Sequence, residues 1–308
     1  MRKKLSVVVP VYFNAESLPP LFERLIEIEH QLSSIEMELE LIFVDDGSGD
    51  TSLAELLRIK KSRPDTKIIK LTRNFGAVHA SKCGFQFVTG DCITILAADL
   101  QDPPELVMRM VEKWRAGAKF TICERVSRED PLISKIFATA FYWLLHKLVI
   151  DDYPEGGFDI ALMDKSLMPH IVNSSKNLYT PLLAYWLGYK PEIIHYHRAK
   201  REHGKSRWTF KKKFKAFLDV MLGFSVTPIR LISAFGVFIA ILSFAYGTSV
   251  IVNAFLGNVP VPGFASLAAL ITFLLGLVIV MLGIIGEYLW RVFDEVNKRP
   301  EVVIDEIY

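Results

Sequence analysis

Residues 96–107 read LAADLQDPPELV, an apolar run that stops in Asp99, Gln101 and Asp102 and then meets two prolines. Proline is tolerated in the first turn of a helix, so a helix start stands just behind the oxygen donors. A strand that ends in carboxylates places them at the carboxyl end of a sheet, where open α/β sheets bind their ligands. Working outward, apolar runs recur at 5–11 (LSVVVPV), 39–45 (LELIFVD), 67–71 and 119–123, and 92–98 leads into the opening stretch. Segments with helical spacing lie between them, such as Leu21, Leu25 and Ile28. This alternation predicts an α/β domain with a mostly parallel sheet and helices on both faces.

The chain has 308 residues, is 51% hydrophobic and carries a formal net charge of +2, so bulk charge says little about partners. The apolar content is concentrated. From Leu231 to Gly286 there is no Asp, Glu, Lys, Arg or His, and only the turn-like GNVPVPG at 257–263 interrupts the run. Each side exceeds the roughly 20 residues that cross a bilayer, which predicts a two-helix membrane hairpin over about 229–255 and 265–290. Lys211, Lys212, Lys213, Lys215 and Arg230 precede it and Arg291, Lys298 and Arg299 follow it, while the turn is uncharged. By the positive-inside rule both termini face the cytoplasm. The N-terminal MRKKLSVVVPVYFN is broken by Pro10 and reads as a first strand rather than a cleavable signal. Cys83, Cys92 and Cys123 form no CxxC pair and fit reduced, packing thiols.

Two familiar phosphate cradles are missing: there is no GxxxxGK[ST], and the glycines near Gly76 and Gly84 do not make GxGxxG. A divalent metal held by carboxylates would serve instead. Magnesium takes one or two protein carboxylates together with substrate phosphates, and Asp99 with Gln101 matches that sparse supply. A second acidic cluster, VDDGSGDTS at 44–52, ends the second strand. Taken alone it reads equally well as a strand-to-helix turn capped by Asp50 or Thr51.

VVVPVYFNAESL, VDDGSGDTS, RNFGAVHASKCGF and ADLQDPPEL, in this order and at these spacings, resemble glycosyltransferase family 2 over roughly residues 4–210. The appended hairpin is similar to that of the polyisoprenyl-phosphate glycosyltransferases, in particular the bactoprenol glucosyltransferase branch, related to dolichol-phosphate mannose synthase. The resemblance implies a GT-A fold, a nucleotide-sugar donor and Mg²⁺ or Mn²⁺. It implies that Pro10, Tyr12, Asn14, Glu16 and Ala98 line the donor pocket, that Val44 and Asp46 contact base and ribose, and that Arg125 meets phosphate or sugar. Asp99 and Gln101 would hold the metal, and Asp159, in EGGFDIALMDKS, would be the acceptor-side catalytic carboxylate beside Asp99. One departure stands out: the family's DxD motif would need Asp at 97, where this chain has Ala97.

The expected organisation is a cytoplasmic GT-A domain over 1–209, an interfacial helix over 210–228, the hairpin over 229–292 and a cytoplasmic tail over 293–308. Between Arg198 and Lys215 there are nine Lys or Arg and one acidic residue, Glu202. A basic stretch just before a span attracts anionic lipid head groups, and Phe210, Phe214, Phe217, Leu218, Met221 and Leu222 recur at helical spacing there. Arg198, Arg201, Lys205 and Arg207 are expected to receive a lipid phosphate, a task suited to the guanidinium fork. SKIFATAFYWLLHKLVI at 134–150 is too short to cross and reads either as a helix on the same surface or as a core helix.

The expected reaction moves one sugar, glucose from UDP-glucose, onto polyprenyl (undecaprenyl) phosphate with inversion, at the bacterial plasma membrane. A flippase and a second glycosyltransferase would act downstream. GDP-mannose, UDP-GlcNAc and UDP-aminoarabinose donors remain open, because the choice of glucose rests on the branch alone. A nucleic-acid partner is not expected, since the charge outside the basic stretch is near neutral. A polysaccharide synthase would need more spans and a QxxRW signature, and KSRWTF lacks the Gln. Gly236, Gly276 and Gly283 in the spans would permit close helix contact in a homo-oligomer.

Overall fold

The computed structural model describes residues 2–125, 153–154, 157–176, 178, 180–197, 220–256 and 263–308. Eight strands form one sheet: β1 (Lys3–Val11), β2 (Met37–Asp45), β3 (Lys67–Leu71), β4 (Cys92–Ile95), β5 (Phe120–Arg125), β6 (Phe158–Asp164), β7 (Glu192–Tyr196) and β8 (Ile304–Ile307), in the order β7-β5-β6-β4-β1-β2-β3-β8. β1 pairs in parallel with β2 and β4, β2 with β3, and β5 with β7. β6 runs antiparallel between β4 and β5, and β8 runs antiparallel along β3. Six strands therefore point one way and two the other, so the expected mostly parallel α/β sheet is present.

Alternate residues of the central strands serve two faces. Leu5, Val7, Val9 and Val11 of β1 and Leu39, Leu41 and Phe43 of β2 join one core with α1 (Leu18–Ser34), α2 (Ser52–Ser62) and α4 (Leu106–Arg115). α1 contributes Leu18, Leu21, Leu25, Ile28 and Leu32, all buried, at the spacing read from the sequence. Each such side chain contributes about 1.5–3 kcal/mol of burial. On the other face α3 (Ala77–Phe85) lies so close to the sheet that a Cβ on Gly84 would stand 2.4 Å from Val8 Cγ1 and 3.1 Å from Val44 Cγ2. A larger residue there would force the helix or Val8 to shift. After β6, α5 (Met168–Val172) and α6 (Thr180–Trp186) lead to β7.

The chain divides into two compact units, Met1–Val220 with Pro300–Tyr308, and Met221–Arg299. The second contains α7 (Thr227–Phe255) and α8 (Phe264–Val296), each with a stretch long and apolar enough to cross a membrane: Ile229–Ser249 and Phe273–Val296, both without buried residues. α8 continues to Val296, beyond the expected end at 290. A Cβ on Gly236 would lie 3.0 Å from Met281 Cε, whereas Gly276 and Gly283 have nothing within 4 Å of that position. The expected tail over 293–308 is in part a strand of the sheet, because β-branched VVI follows Pro300 and β3 offers an unpaired edge.

Candidate functional site

The carboxyl ends of the six co-directional strands form one rim, and the start of antiparallel β6 reaches the same rim. β1 ends at Val11, and the loop behind it is laced to the loop behind β2. Phe13 N donates to Ser48 Oγ (3.1 Å) and Asn14 N to Ser52 Oγ (2.8 Å), while Asn14 Oδ1 accepts from Tyr12 N (2.9 Å). Phe13 is left-handed (φ 56) and 41% exposed, with its ring edge-on to Tyr12 at 4.7 Å. Non-glycine residues in that region store strain and cluster at ligand sites. Leu100, in the loop that holds Asp99 and Gln101, has the same φ of 56.

Asp45 and Asp46 close β2 and are both 1% exposed. Asp45 Oδ1 accepts from Ser48 N (3.2 Å). Asp46 Oδ1 accepts from Phe75 N (2.7 Å), and its Oδ2 accepts from Gly76 N (2.9 Å) and Asn74 Nδ2 (2.8 Å). Burial pushes both carboxyls above the usual range, and in Asp46 the two backbone donors pull against it. In this geometry Asp46 acts as the anchor of the 74–76 loop. Gly47 (φ +69) lets β2 turn under that loop, where a Cβ would sit 2.5 Å from the Arg73 carbonyl carbon. Val44 is fully buried beneath α3.

The strand expected over 92–98 ends at Ile95. Leu96 N still donates to Val8 O (3.0 Å), and the chain then turns outward through Ala97. Ala98 is 4% exposed and packs in the core. Asp99 and Gln101 are half-buried in the loop, with Gln101 N donating to Asp99 Oδ1 (3.3 Å). Asp102, which the sequence grouped with them, lies 4% exposed and accepts from Tyr196 Oη (2.6 Å) at the end of β7. Tyr196 pairs in register with Arg125, which closes β5 and is half-buried. Asp102 thus ties the Asp99 loop to the strand end that carries Arg125.

Asp159 lies in strand β6. The register steps from Cys123↔Ile160 to Glu124↔Phe158, which leaves Asp159 as the extra residue of a bulge opposite the last residues of β5. Gly157, just before it, is left-handed (φ 62). Bulges are over-represented beside active sites. The rim therefore brings together Pro10, Tyr12, Asn14 and exposed Glu16 from β1 and its loop, Asp99 and Gln101 behind β4, Arg125 on β5 and the Asp159 backbone on β6. Arg198, Arg201, Lys205 and Arg207, like the 134–150 segment, lie outside the described residues; the chain enters 198–219 from the rim, two residues after Tyr196.

Among the described residues no group of three or more His, Cys, Asp or Glu is placed to hold an ion. One carboxylate, Asp99, and one amide, Gln101, on a turned loop at the rim are hard oxygen donors. They suit a cation that takes its other ligands from a bound pyrophosphate.

This sheet, with one reversed strand inserted among co-directional ones and the ligand rim at their carboxyl ends, is the GT-A-like class of α/β fold. Glucosyl-3-phosphoglycerate synthase from Mycobacterium tuberculosis shares it at a TM-score of 0.50 and 16% identity, over 71% of this chain and 80% of that one, a likeness of fold alone. The model of "Glycosyl transferase family 2" matches residues 6–160. An uncharacterized glycosyltransferase of Synechocystis sp. is 34% identical over 314 residues, covering 100% of this chain and 96% of its own. A bactoprenol glucosyl transferase of Shigella phage SfII is 32% identical over 303 residues, covering 98% and 97%. The chain belongs to glycosyltransferase family 2 and is a transferase.

Proposed function

We propose that the chain transfers a single glucose from UDP-glucose to polyprenyl phosphate at the cytoplasmic face of the bacterial plasma membrane, with inversion at the anomeric carbon. The observation that carries this reading is the rim itself: Asp99 behind β4, Arg125 at the end of β5 and the bulge position Asp159 of β6 belong to neighbouring strands at one rim, in a chain whose full-length relatives include bactoprenol glucosyl transferases. A divalent cation, Mg²⁺ or Mn²⁺, held by Asp99 and Gln101 would neutralise the donor pyrophosphate. Arg125 contributes positive charge at the same rim. The acceptor phosphate oxygen attacks the anomeric carbon, and the bond to the nucleoside diphosphate breaks on the opposite side. A phosphate monoester has a second pKa of about 6 and is mostly dianionic at neutral pH, so Asp159 orients the acceptor or takes the residual proton of the monoanion. Arg198, Arg201, Lys205 and Arg207 receive the lipid phosphate.

The return of Pro300–Tyr308 to the sheet that holds the N-terminal strand supports two crossings with both termini on one side. The flanking cations support the cytoplasm as that side. The glycolipid would then pass to a flippase and a second glycosyltransferase. The test supplies purified chain and undecaprenyl phosphate with radiolabelled UDP-glucose, GDP-mannose or UDP-GlcNAc. Lipid-linked label from UDP-glucose above the other two is expected. Transfer from none overturns the reaction class, and preference for another donor overturns the sugar.

A further inference from the structure

α3, the helix that opens with the 72–76 loop, carries a buried cation. Lys82 is 3% exposed, and its Nζ donates to the Ser174 carbonyl (2.5 Å) and pairs with Glu301 Oε2 (2.9 Å). His79, three residues earlier on the helix, meets the other carboxylate oxygen, Glu301 Oε1, at 2.9 Å. Burial pushes the Glu301 carboxyl up, but hydrogen bonds from His79 and Lys82, together with their charges, hold it below the usual range.

Glu301 reaches α3 from the far end of the chain, five residues beyond α8. The same segment touches the loop again, where the Val303 carbonyl accepts from Thr72 N (3.0 Å). It then pairs with β3 as β8, with Ile304 opposite Leu71 and Ile307 opposite Ile69. The 72–76 loop is thus held at three points. Val303 fixes its start, Asp46 takes the amides of Phe75 and Gly76 in its middle, and Glu301 fixes the helix that follows.

We infer that Glu301 is a positioning residue of the donor site: by gripping Lys82 and His79 it seats the start of α3 so that the Asn74–Gly76 loop stays on Asp46 at the rim. This rests on the proposed reading that the rim beside Asp46 takes the nucleotide. It extends that reading by making the segment beyond the second long helix part of the donor half of the catalytic unit.

The test uses the full chain in detergent with Glu301→Gln, which keeps the shape and loses the charge, and Glu301→Asp, which keeps the charge and shortens the reach. UDP binding with Mn²⁺ is measured by calorimetry at a temperature where each variant is fully folded. Amide exchange at Phe75 and Gly76 is followed by mass spectrometry. For Glu301→Gln the expected result is a loss of UDP affinity of about tenfold, the size of one charge-assisted hydrogen bond. Exchange at Phe75 and Gly76 should be faster, the polyprenyl-phosphate KM unchanged, and turnover restored at saturating donor; Glu301→Asp should fall between. If Glu301→Gln lowers thermal stability but leaves both UDP affinity and exchange at 75–76 unchanged, the residue is merely structural and the inference is overturned. Equal losses of donor and acceptor KM overturn it as well. A wild-type chain that binds neither UDP nor GDP overturns the functional reading instead, and the exchange measurement still decides the coupling.

Discussion

Gly47 offers a clean separation of two backbone costs. A Cβ at this position would lie 2.5 Å from the Arg73 carbonyl carbon, 2.7 Å from its Cα and 2.8 Å from Asn74 N, on a residue at φ +69. Gly47→Ala imposes left-handed backbone on an L residue, about 1–2 kcal/mol, and an overlap with main-chain atoms that no rotamer change relieves, about 1–3 kcal/mol more. Gly117 (φ +108) has nothing within 4 Å of its Cβ position, so Gly117→Ala carries the first cost alone. At roughly 2–4 °C per kcal/mol for a domain of this size, the midpoint shifts should be about 4–20 °C for Gly47→Ala and about 2–8 °C for Gly117→Ala. The chain supplies its own probe. All three cysteines lie in the sheet unit at 1% exposure or less, and burial pushes the Cys83 thiol up to about 11, that of Cys123 up to about 12, and that of Cys92 upward as well. A maleimide dye therefore reports opening of this unit in detergent with no signal from the hairpin. Because the displaced atoms belong to the 73–74 loop, Gly47→Ala should also lose activity below its midpoint, while Gly117→Ala keeps it. Equal midpoint shifts for the two variants would refute the reasoning.

Asp99→Ala should abolish transfer, and full turnover in excess EDTA would contradict the metal assignment. Arg201→Ala or Lys205→Ala should raise the KM for the lipid phosphate more than that for the nucleotide sugar; equal effects count against acceptor capture. Asp159→Asn should lower kcat more at pH 6, where the acceptor monoanion is abundant, than at pH 8, and a defect of one size at both values leaves positioning as its role. The Glu301 carboxyl titrates below its ordinary value, so the stability it contributes is present at neutral pH and lost as pH falls through the folded pKa. Circular dichroism melts between about pH 5 and pH 3 should therefore show a steeper loss in wild type than in Glu301→Gln.

The parallel half of the sheet was legible because βαβ strands are buried on both faces and appear as short apolar runs with amphipathic helices between them. β6 and β7 lie beyond 119–123, the last of the regularly spaced apolar runs, and β8 is only four residues long. The alternation of VVIDEIY marks it, yet nothing local says that its partner is β3. At the rim, Asp99 was legible from a strand that ends in oxygen donors. The motif marks Asp46 as a ligand contact, and the fold adds what the motif does not carry, three donors from 74–76 on its carboxylate. The Asp102–Tyr196 bond and the Glu301 clamp join residues 94 and more than 200 positions apart, and a one-dimensional pattern carries no trace of such pairings. Lys82, in ASKCGF, reads as an exposed helix lysine until its partner is known.

The edge strand β8 has a consequence for how the protein is made. β3 ends at Leu71 and its last neighbour begins at Ile304, roughly 230 residues later, or about 10–50 s at ordinary rates of synthesis. Throughout that interval the newborn sheet shows the ribosome's surroundings an open row of amides and carbonyls, the kind of border that recruits stray chains. Closure waits for the two long apolar helices to be synthesised. In the proposed two-crossing topology, a molecule whose hairpin made a single pass would leave its last residues on the other side from β3. Such a molecule would keep the open border and with it the tendency to pair with other chains.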